Sequence, residues 1–211
     1  MSTLERTTAP ANRPAGKPAK PYALAARELR RETLFGAARG ELEHRAWSEV
    51  TMADVAAAAG VSRQTLYKEF GSRDEFAQAF VLREADGFIS TVEGALDAHL
   101  DDPQAALTAA FGLFLSAAAE DPLIRAVIGG SPEMLPFLTT QGQTLVHGAT
   151  ERLSIAITER WPAAGNDAQL LAECLVRLAI SYAALPAGPT GMTAASVTTL
   201  LGPYIEQLTG P

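Results

Sequence analysis

VTMADVAAAAGVSRQTLYKEFG, residues 50–71, reads as two short helices on either side of one glycine. Thr51-x-x-Asp54 is a capping-box variant, so a helix starts after Thr51. It ends at Gly60, which tolerates the positive φ of a tight turn. Ser62 is a good N-cap for a second helix ending near Phe70-Gly71. Ala56 and Ala59 are small enough for the two helices to touch, and Val55, Val61, Leu66 and Phe70 supply an inner face. With that face buried, Arg63, Gln64, Thr65, Tyr67 and Lys68 are left for solvent or for a groove.

Their chemistry suits duplex DNA. Arg63 and Gln64 lie in the first turn of the second helix, the part that enters a major groove. Arginine can fork onto a guanine edge, and glutamine can pair with an adenine edge. Thr65, Tyr67 and Lys68 suit phosphate, which positions without specifying. Thr51, Ser62 and Ser72 begin helices, whose free N–H groups and positive dipole end attract phosphate. Arg73 adds a charge beside them.

Read as T-M-A-D-V-A-x-x-A-G-V-S-x-x-T-L-Y-x-x-F, Thr51 through Phe70 resembles the DNA-binding signature of TetR-family transcriptional regulators. Gly71-Ser72-Arg73-Asp74-Glu75 resembles that family's loop into its fourth helix, where lysine is commoner than Arg73. The resemblance covers about residues 23–80. It implies phosphate contacts at Thr51, Thr65, Tyr67, Lys68 and Arg73, with Ser62 beside them, and base reading at Arg63 and Gln64. It also implies a homodimer joined through the last two helices, on a near-palindromic operator.

Upstream, residues 1–22 form a low-complexity basic arm with Pro10, Pro14, Pro18 and Pro21 among Arg13, Lys17 and Lys20. Such a composition buries no core, so the arm is expected to be disordered. From Tyr22 onward the period is helical, with no useful run of alternation. The first helix is expected over Ala23–Leu42, with Leu24, Leu34, Phe35, Ala38 and Leu42 on one side. A fourth, capped by Ser72-x-x-Glu75, runs to about Leu100. Further helices are expected near 103–120, after Pro122, over 132–161 with a break near Gly142, over 167–185 and over 193–208, where Gly202-Pro203 should kink the last. That makes an all-α chain of about nine helices. Residues 23–71 form the helix-turn-helix unit, and residues 72–211 a ligand-binding and dimerisation unit.

The 211 residues carry a formal net charge of −7, which argues against nucleic acid if taken whole. Residues 1–83 hold 13 basic against 10 acidic side chains, a net of +3, and the remainder holds 4 against 14, a net of −10. A basic front on an acidic body fits one end facing phosphate. Cys174 is the single cysteine, so no internal disulfide forms. With no signal-like or membrane-spanning segment, a cytoplasmic location is expected.

Two apolar stripes end the chain. Leu171, Leu175, Leu178 and Tyr182 share one, with Leu170 and Cys174, the latter expected as a small core hydrophobe. Val197, Leu201, Tyr204, Ile205 and Leu208 share the other, with Leu200. Two such stripes exceed what one core needs, so a four-helix contact with a second copy is expected there. The middle helices supply candidate pocket residues: Phe88, Phe111, Phe114, Met134, Phe137, Leu138, Leu145 and Trp161. With Arg125, Arg152, Arg177 and His147 as the few ionisable candidates, the expected effector is a mostly apolar small molecule, such as a fatty acid or ester. The chain is similar in overall look to actinobacterial family members that sense fatty acyl or hydrocarbon compounds.

His44, His99 and His147 are scattered, so no metal or cofactor is expected. No nucleophile elbow or paired carboxylates stand out, so an enzyme is not expected. The reading is therefore a ligand-responsive DNA-binding regulator, a repressor released from its operator by its ligand. The rival is an all-helical protein-interaction adaptor whose helix-turn-helix no longer binds DNA.

Overall fold

The computed structural model describes residues 21–128, 142–186 and 188–209. Among them are nine α-helices and no strand, as the sequence led one to expect: α1 (Pro21–Leu42), α2 (Met52–Ala58), α3 (Arg63–Phe70), α4 (Arg73–Asp97), α5 (Pro103–Glu120), α6 (Pro122–Ile128), α7 (Gly142–Arg160), α8 (Asp167–Ala184) and α9 (Thr190–Thr209). Short 3-10 turns stand at Trp47–Glu49 and Pro162–Ala164. The basic arm, the start of the helix expected over 132–161, and Met134, Phe137 and Leu138 lie outside the described residues, although Pro21 and Tyr22 already belong to α1.

The helix starts follow their caps. Thr51 Oγ1 accepts from Asp54 N at 3.2 Å, and Asp54 Oδ2 accepts from Thr51 N at 2.9 Å, a full reciprocal box. Ser62 and Asp102 accept from Thr65 N and Ala105 N at 3.1 and 2.9 Å. Ser72 Oγ accepts from Glu75 N, but the return bond from Glu75 is missing because Ser72 N bonds Phe70 O.

The head is built on aromatic rings. Phe35, Trp47, Phe70, Phe76 and Phe80 are all buried, with centroids 4.9–6.5 Å apart. Burying each ring contributes roughly 2–3 kcal/mol against leaving it in water. Leu24 does not join them. It is exposed near the start of α1, and the buried side of α1 begins at Leu34. The head core also takes in Ala77 and Val81 of α4 and Leu123 and Val127 of α6, so apolar packing continues past residue 71.

The body has α5 at its centre. α9 packs along α5, α8 packs on α7 and on α5, and α4 lies against α5 and α7. At Gly202 a Cβ would meet the amide end of the Gln104 side chain at 3.0 Å. α9 continues through Pro203. Among the described residues no single helix is long and apolar enough to cross a membrane. The pair α5–α6 would be, taken together, but it bends by 90°.

Candidate nucleic-acid interface and effector cavity

The corner between α2 and α3 is held by the backbone. Val61 N donates to Ala56 O at 2.9 Å and Gly60 N to Ala57 O at 3.1 Å, with Gly60 at φ 68°. This paired closure at a left-handed residue ends α2 and fixes the angle at which α3 leaves. Val55, Ala56, Leu66 and Phe70 are buried, and Val61 and Ala59 pack beside them. One side of α3 is thereby committed to the core. Arg63, Gln64 and Lys68 are exposed on the other side, while Thr65 and Tyr67 are half-buried at its edge.

The polar face is partly organised. The Arg63 guanidinium lies 5.2 Å from the Tyr67 ring centroid, and its Nη2 donates to Tyr67 Oη at 3.3 Å. Thr65 Oγ1 sits 2.8 Å from Ser62 Oγ. Gln64 and Lys68 project with no such tie. Thr51 is exposed, but its hydroxyl donates to Asp54 Oδ2 at 2.6 Å, so reaching a phosphate would mean releasing that bond. Hydrogen bonds from the Thr51 side chain and backbone, with Arg45 nearby, hold the Asp54 carboxyl below its usual range.

Arg73 behaves differently from its expected role. Its Nη2 donates to the carbonyls of Trp47 and Val50 at 2.9 and 3.1 Å, and the guanidinium lies 5.6 Å from the Trp47 ring centroid. It is half-buried and clamps the turn before α2 to the start of α4. Its charge remains near the DNA face, but its donors serve the fold.

A set of residues on the flank of α3 had no sequence signal beyond spacing. The Glu69 carboxylate, with only 7% of its side chain exposed, is met by Arg27 Nε at 2.7 Å, Arg31 Nη1 at 3.5 Å and Arg30 Nη1 at 3.7 Å. Arg31 also lies 4.5 Å from the Phe70 ring centroid. Arg27 and Arg30 thus stand in a groove with Thr65 and Lys68, and they extend the positive surface onto α1. Periodicity along one helix cannot reveal pairs separated by about forty positions.

α6 connects this head to the body. Asp121 Oδ1 accepts from Leu123 N at 2.9 Å and Ile124 N at 3.0 Å, capping α6, and its carboxylate is gripped by both Nη atoms of Arg39 on α1. Arg39 also lies 3.4 Å from Glu84 of α4. Burial alone would raise the Asp121 pKa, but Arg39 and the two amides outweigh it and hold it below the usual carboxylate range. Glu84 moves upward, because its burial outweighs Arg39 and Arg83. Leu123 and Val127 sit in the head core, while Ile124 and Ile128 line a cavity in the body.

That cavity has a volume of about 1130 Å³ and a mostly apolar wall drawn chiefly from α4 to α8. Phe88, Phe111, Phe114, Leu145 and Trp161 line it, and Phe88 meets Phe114 edge-on at 5.7 Å. Two of the expected cationic partners for a ligand are otherwise engaged. Arg152 bonds Glu93 at 2.8 Å and also Asp86, bracing α7 on α4, and Arg177 bonds Glu173 at 2.8 Å. Arg125 is exposed, and His147 is exposed at the cavity rim. Thr150, not among the expected residues, lines the cavity and is 3% exposed.

The terminal stripes require a correction. Leu171, Leu175, Val197, Ile205 and Leu208 are buried within one protomer, packed with Leu107, Phe111 and Leu115 of α5. Leu178, Tyr182 and Leu201 pack partly against the same cluster. α5 passes between the two stripes and satisfies both, which periodicity alone could not disclose. The outward parts of the stripes carry Leu170, 57% exposed, with Cys174 on α8, and Leu200, 75% exposed, with Tyr204 on α9, and Leu185 is exposed just past the end of α8. Of the two expected stripes, Leu170, Leu200 and Tyr204 are exposed, and Cys174 is not a core residue.

Residues 34–80 match the family model described as bacterial regulatory proteins, tetR family, and residues 102–203 match that of the bacterial tetracyclin repressor C-terminal domain. The chain is 39% identical over 210 residues to the HTH-type transcriptional regulator AlkX of Mycobacterium tuberculosis, covering 98% of this chain and 97% of that one. Among solved structures it resembles the TetR family repressor AlkX from a Dietzia strain, described as implicated in biodegradation of n-alkanes. The TM-score there is 0.75 at 37% identity, over 85% of this chain and 97% of that one. A TetR-family regulator from Pectobacterium atrosepticum shares the fold at TM-score 0.65 and 21% identity, over 89% of this chain and 97% of that one.

Proposed function

The chain belongs to the TetR family of ligand-responsive, DNA-binding transcriptional regulators, and from that premise we propose that it is a repressor released from its operator by an aliphatic small molecule, whether a bare chain or one ending in an acid or ester. One observation carries the proposal. The core of the DNA-facing head and the apolar cavity share their walls: α4 runs from one into the other, and α6 sets Leu123 and Val127 in the head core beside Ile124 and Ile128 on the cavity. The similarity to a repressor described as implicated in n-alkane biodegradation supports the aliphatic class.

Residues 23–71 then act as the reading head and residues 72–211 as the sensing and pairing body. Gln64 and Arg63 read base edges, and Thr65, Tyr67, Lys68, Ser62 and Thr51 hold phosphates. Two copies pair through the outward faces of α8 and α9, which sets two recognition helices about 34–36 Å apart or further on a two-fold site. An occupant that fits the cavity better with α6 displaced moves Leu123 and Val127 within the head core. By linkage it lowers operator affinity as much as DNA lowers its own binding.

A gel shift at stated salt on the intergenic DNA flanking the gene tests this reading. The protein should retard one fragment, and Lys68→Ala should weaken binding to specific and unrelated duplexes alike. A protein that retards no fragment at low salt would instead be an adaptor with a vestigial head.

A further inference from the structure

One carboxylate in the head is met by more positive charge than it needs. Glu69 lies near the end of α3 with 7% of its side chain exposed, and Arg27, Arg30 and Arg31 of α1 converge on it at 2.7, 3.7 and 3.5 Å. Elsewhere among the described residues the ratio runs the other way. Arg39 meets Asp121 and Glu84, Arg45 meets Glu41 and Asp54, and Arg152 meets Asp86 and Glu93. One guanidinium suffices to neutralise a buried carboxylate. Three guanidinium charges against one carboxylate leave a net of +2 on this flank of α3, and Lys68 stands beside them.

The three arginines are not equivalent. Arg31 is the least exposed, and its guanidinium lies 4.5 Å from the Phe70 ring centroid and 5.6 Å from that of Phe35, so it belongs to the packing of the head. Arg27 and Arg30 have 57% and 43% of their side chains exposed. Arg27 gives Glu69 only its Nε, at 2.7 Å, which fixes the plane of its guanidinium and leaves the Nη pair outside that bond. Arg30 approaches Glu69 at 3.7 Å, too far for a hydrogen bond, so its donors are not spent there. Both stand in one groove with Thr65 and Lys68 of α3. Their spacing of three residues places them on one face of α1. Exposed ion pairs contribute little to stability, so bracing the fold does not account for two extra cations at this place.

We propose that Arg27 and Arg30 form a second phosphate-binding site beside α3, on the DNA backbone flanking the groove that α3 enters, and that Glu69 is the residue that positions them. A guanidinium fork matches two oxygens of one phosphate, and less freedom is lost on binding when its plane is already set. The buried Glu69 carboxylate sets that plane for Arg27 and holds Arg30 close by charge. Phosphate contacts carry no base information, so the site adds affinity and alignment rather than sequence choice. On charge alone, a carboxylate this near a duplex repels it. Glu69 as a positioning residue favours binding instead, so the sign of the effect of removing its charge tells the two apart.

This inference rests on the DNA-binding reading above, and the test separates the two. Fluorescence anisotropy across a range of salt concentrations measures binding of the full-length dimer to the intergenic fragment it retards and to an unrelated duplex. The proteins are wild type, Arg27→Gln, Arg30→Gln, Glu69→Gln and Glu69→Asp, each checked for folding by circular dichroism. Each arginine variant should lower the steepness of log affinity against log salt by about 1.8, from about 0.9 for one phosphate contact in each of two protomers. Preference for the intergenic fragment over the unrelated duplex should stay within about twofold. Glu69→Gln should weaken binding about tenfold and lower the steepness likewise, and adding Arg27→Gln to it should change little more. Glu69→Asp, which keeps the charge but not the reach, should weaken binding too, and it decides the matter if Glu69→Gln does not fold. An unchanged steepness in either arginine variant would overturn the phosphate site. Tighter or unchanged binding by the folded Glu69 variants would overturn the positioning role. A wild type that binds neither duplex would overturn the DNA-binding reading and this inference together.

Discussion

Replacing Asp121 by alanine is expected to cost about 2 kcal/mol of stability and to weaken the link between cavity and head. Asp121 Oδ1 accepts from the amides of Leu123 and Ile124, at 2.9 and 3.0 Å, and losing an N-cap of this kind costs about 1 kcal/mol. Losing the two-pronged bond from Arg39 adds about 1 kcal/mol rather than more, because the pair is partly exposed and Arg39 keeps Glu84 at 3.4 Å. Urea denaturation followed by circular dichroism measures the loss as a lower midpoint at unchanged slope. Asp121→Asn should cost less, since asparagine still caps a helix. The double variant with Arg39→Ala should be less destabilised than the sum of the singles, because the two share one interaction. In the alanine variant decanol should still bind, yet lower operator affinity less than in the wild type, because α6 is no longer tied to α1. A cost below about 0.5 kcal/mol with additive singles would refute the reasoning on stability. An unchanged decanol effect on DNA would refute Asp121 as part of the coupling.

On acidification, Asp121, Asp54 and Glu32 have folded pKa values below their ordinary ones, so the stability they contribute is present above about pH 4 and is lost as pH falls through the folded values. Glu84, raised by burial, works the other way and softens the fall, so Asp121→Asn should flatten the acid limb of a stability–pH curve. Gln64→Ala should relax choice at one base position by about 1–3 kcal/mol in a competition binding assay, while Tyr67→Phe should weaken all sequences alike. Leu200→Asp should split the dimer in sedimentation while each protomer stays folded. Leu175→Asp, at a site buried against α5, should unfold the body instead.

The head was legible because its determinants are local. Thr51, Asp54, Gly60 and Ser62 each fix a backbone feature within a few residues, and their caps and turn form as the spacing required. The ring cluster was less legible: Trp47 lies outside the motif and joins it through a short 3-10 turn. At the chain's end, the stripes on α8 and α9 were correctly seen as apolar, but a period states which face wants cover and not what covers it. α5 does, and so Leu171 and Ile205 serve the protomer rather than a partner. The links from Arg39 to Asp121 and from Arg27 to Glu69 span 82 and 42 positions, and no local pattern announces them.

The α3 surface should grip a duplex, and an oily occupant of the body should loosen that grip. This is tested most directly by the dissociation constant of the dimer for its operator, measured by fluorescence anisotropy at one salt concentration with and without saturating decanol. Decanol should weaken binding at least tenfold, a coupling of about 1.4 kcal/mol or more. An operator constant that stays the same while decanol demonstrably fills the cavity would contradict it.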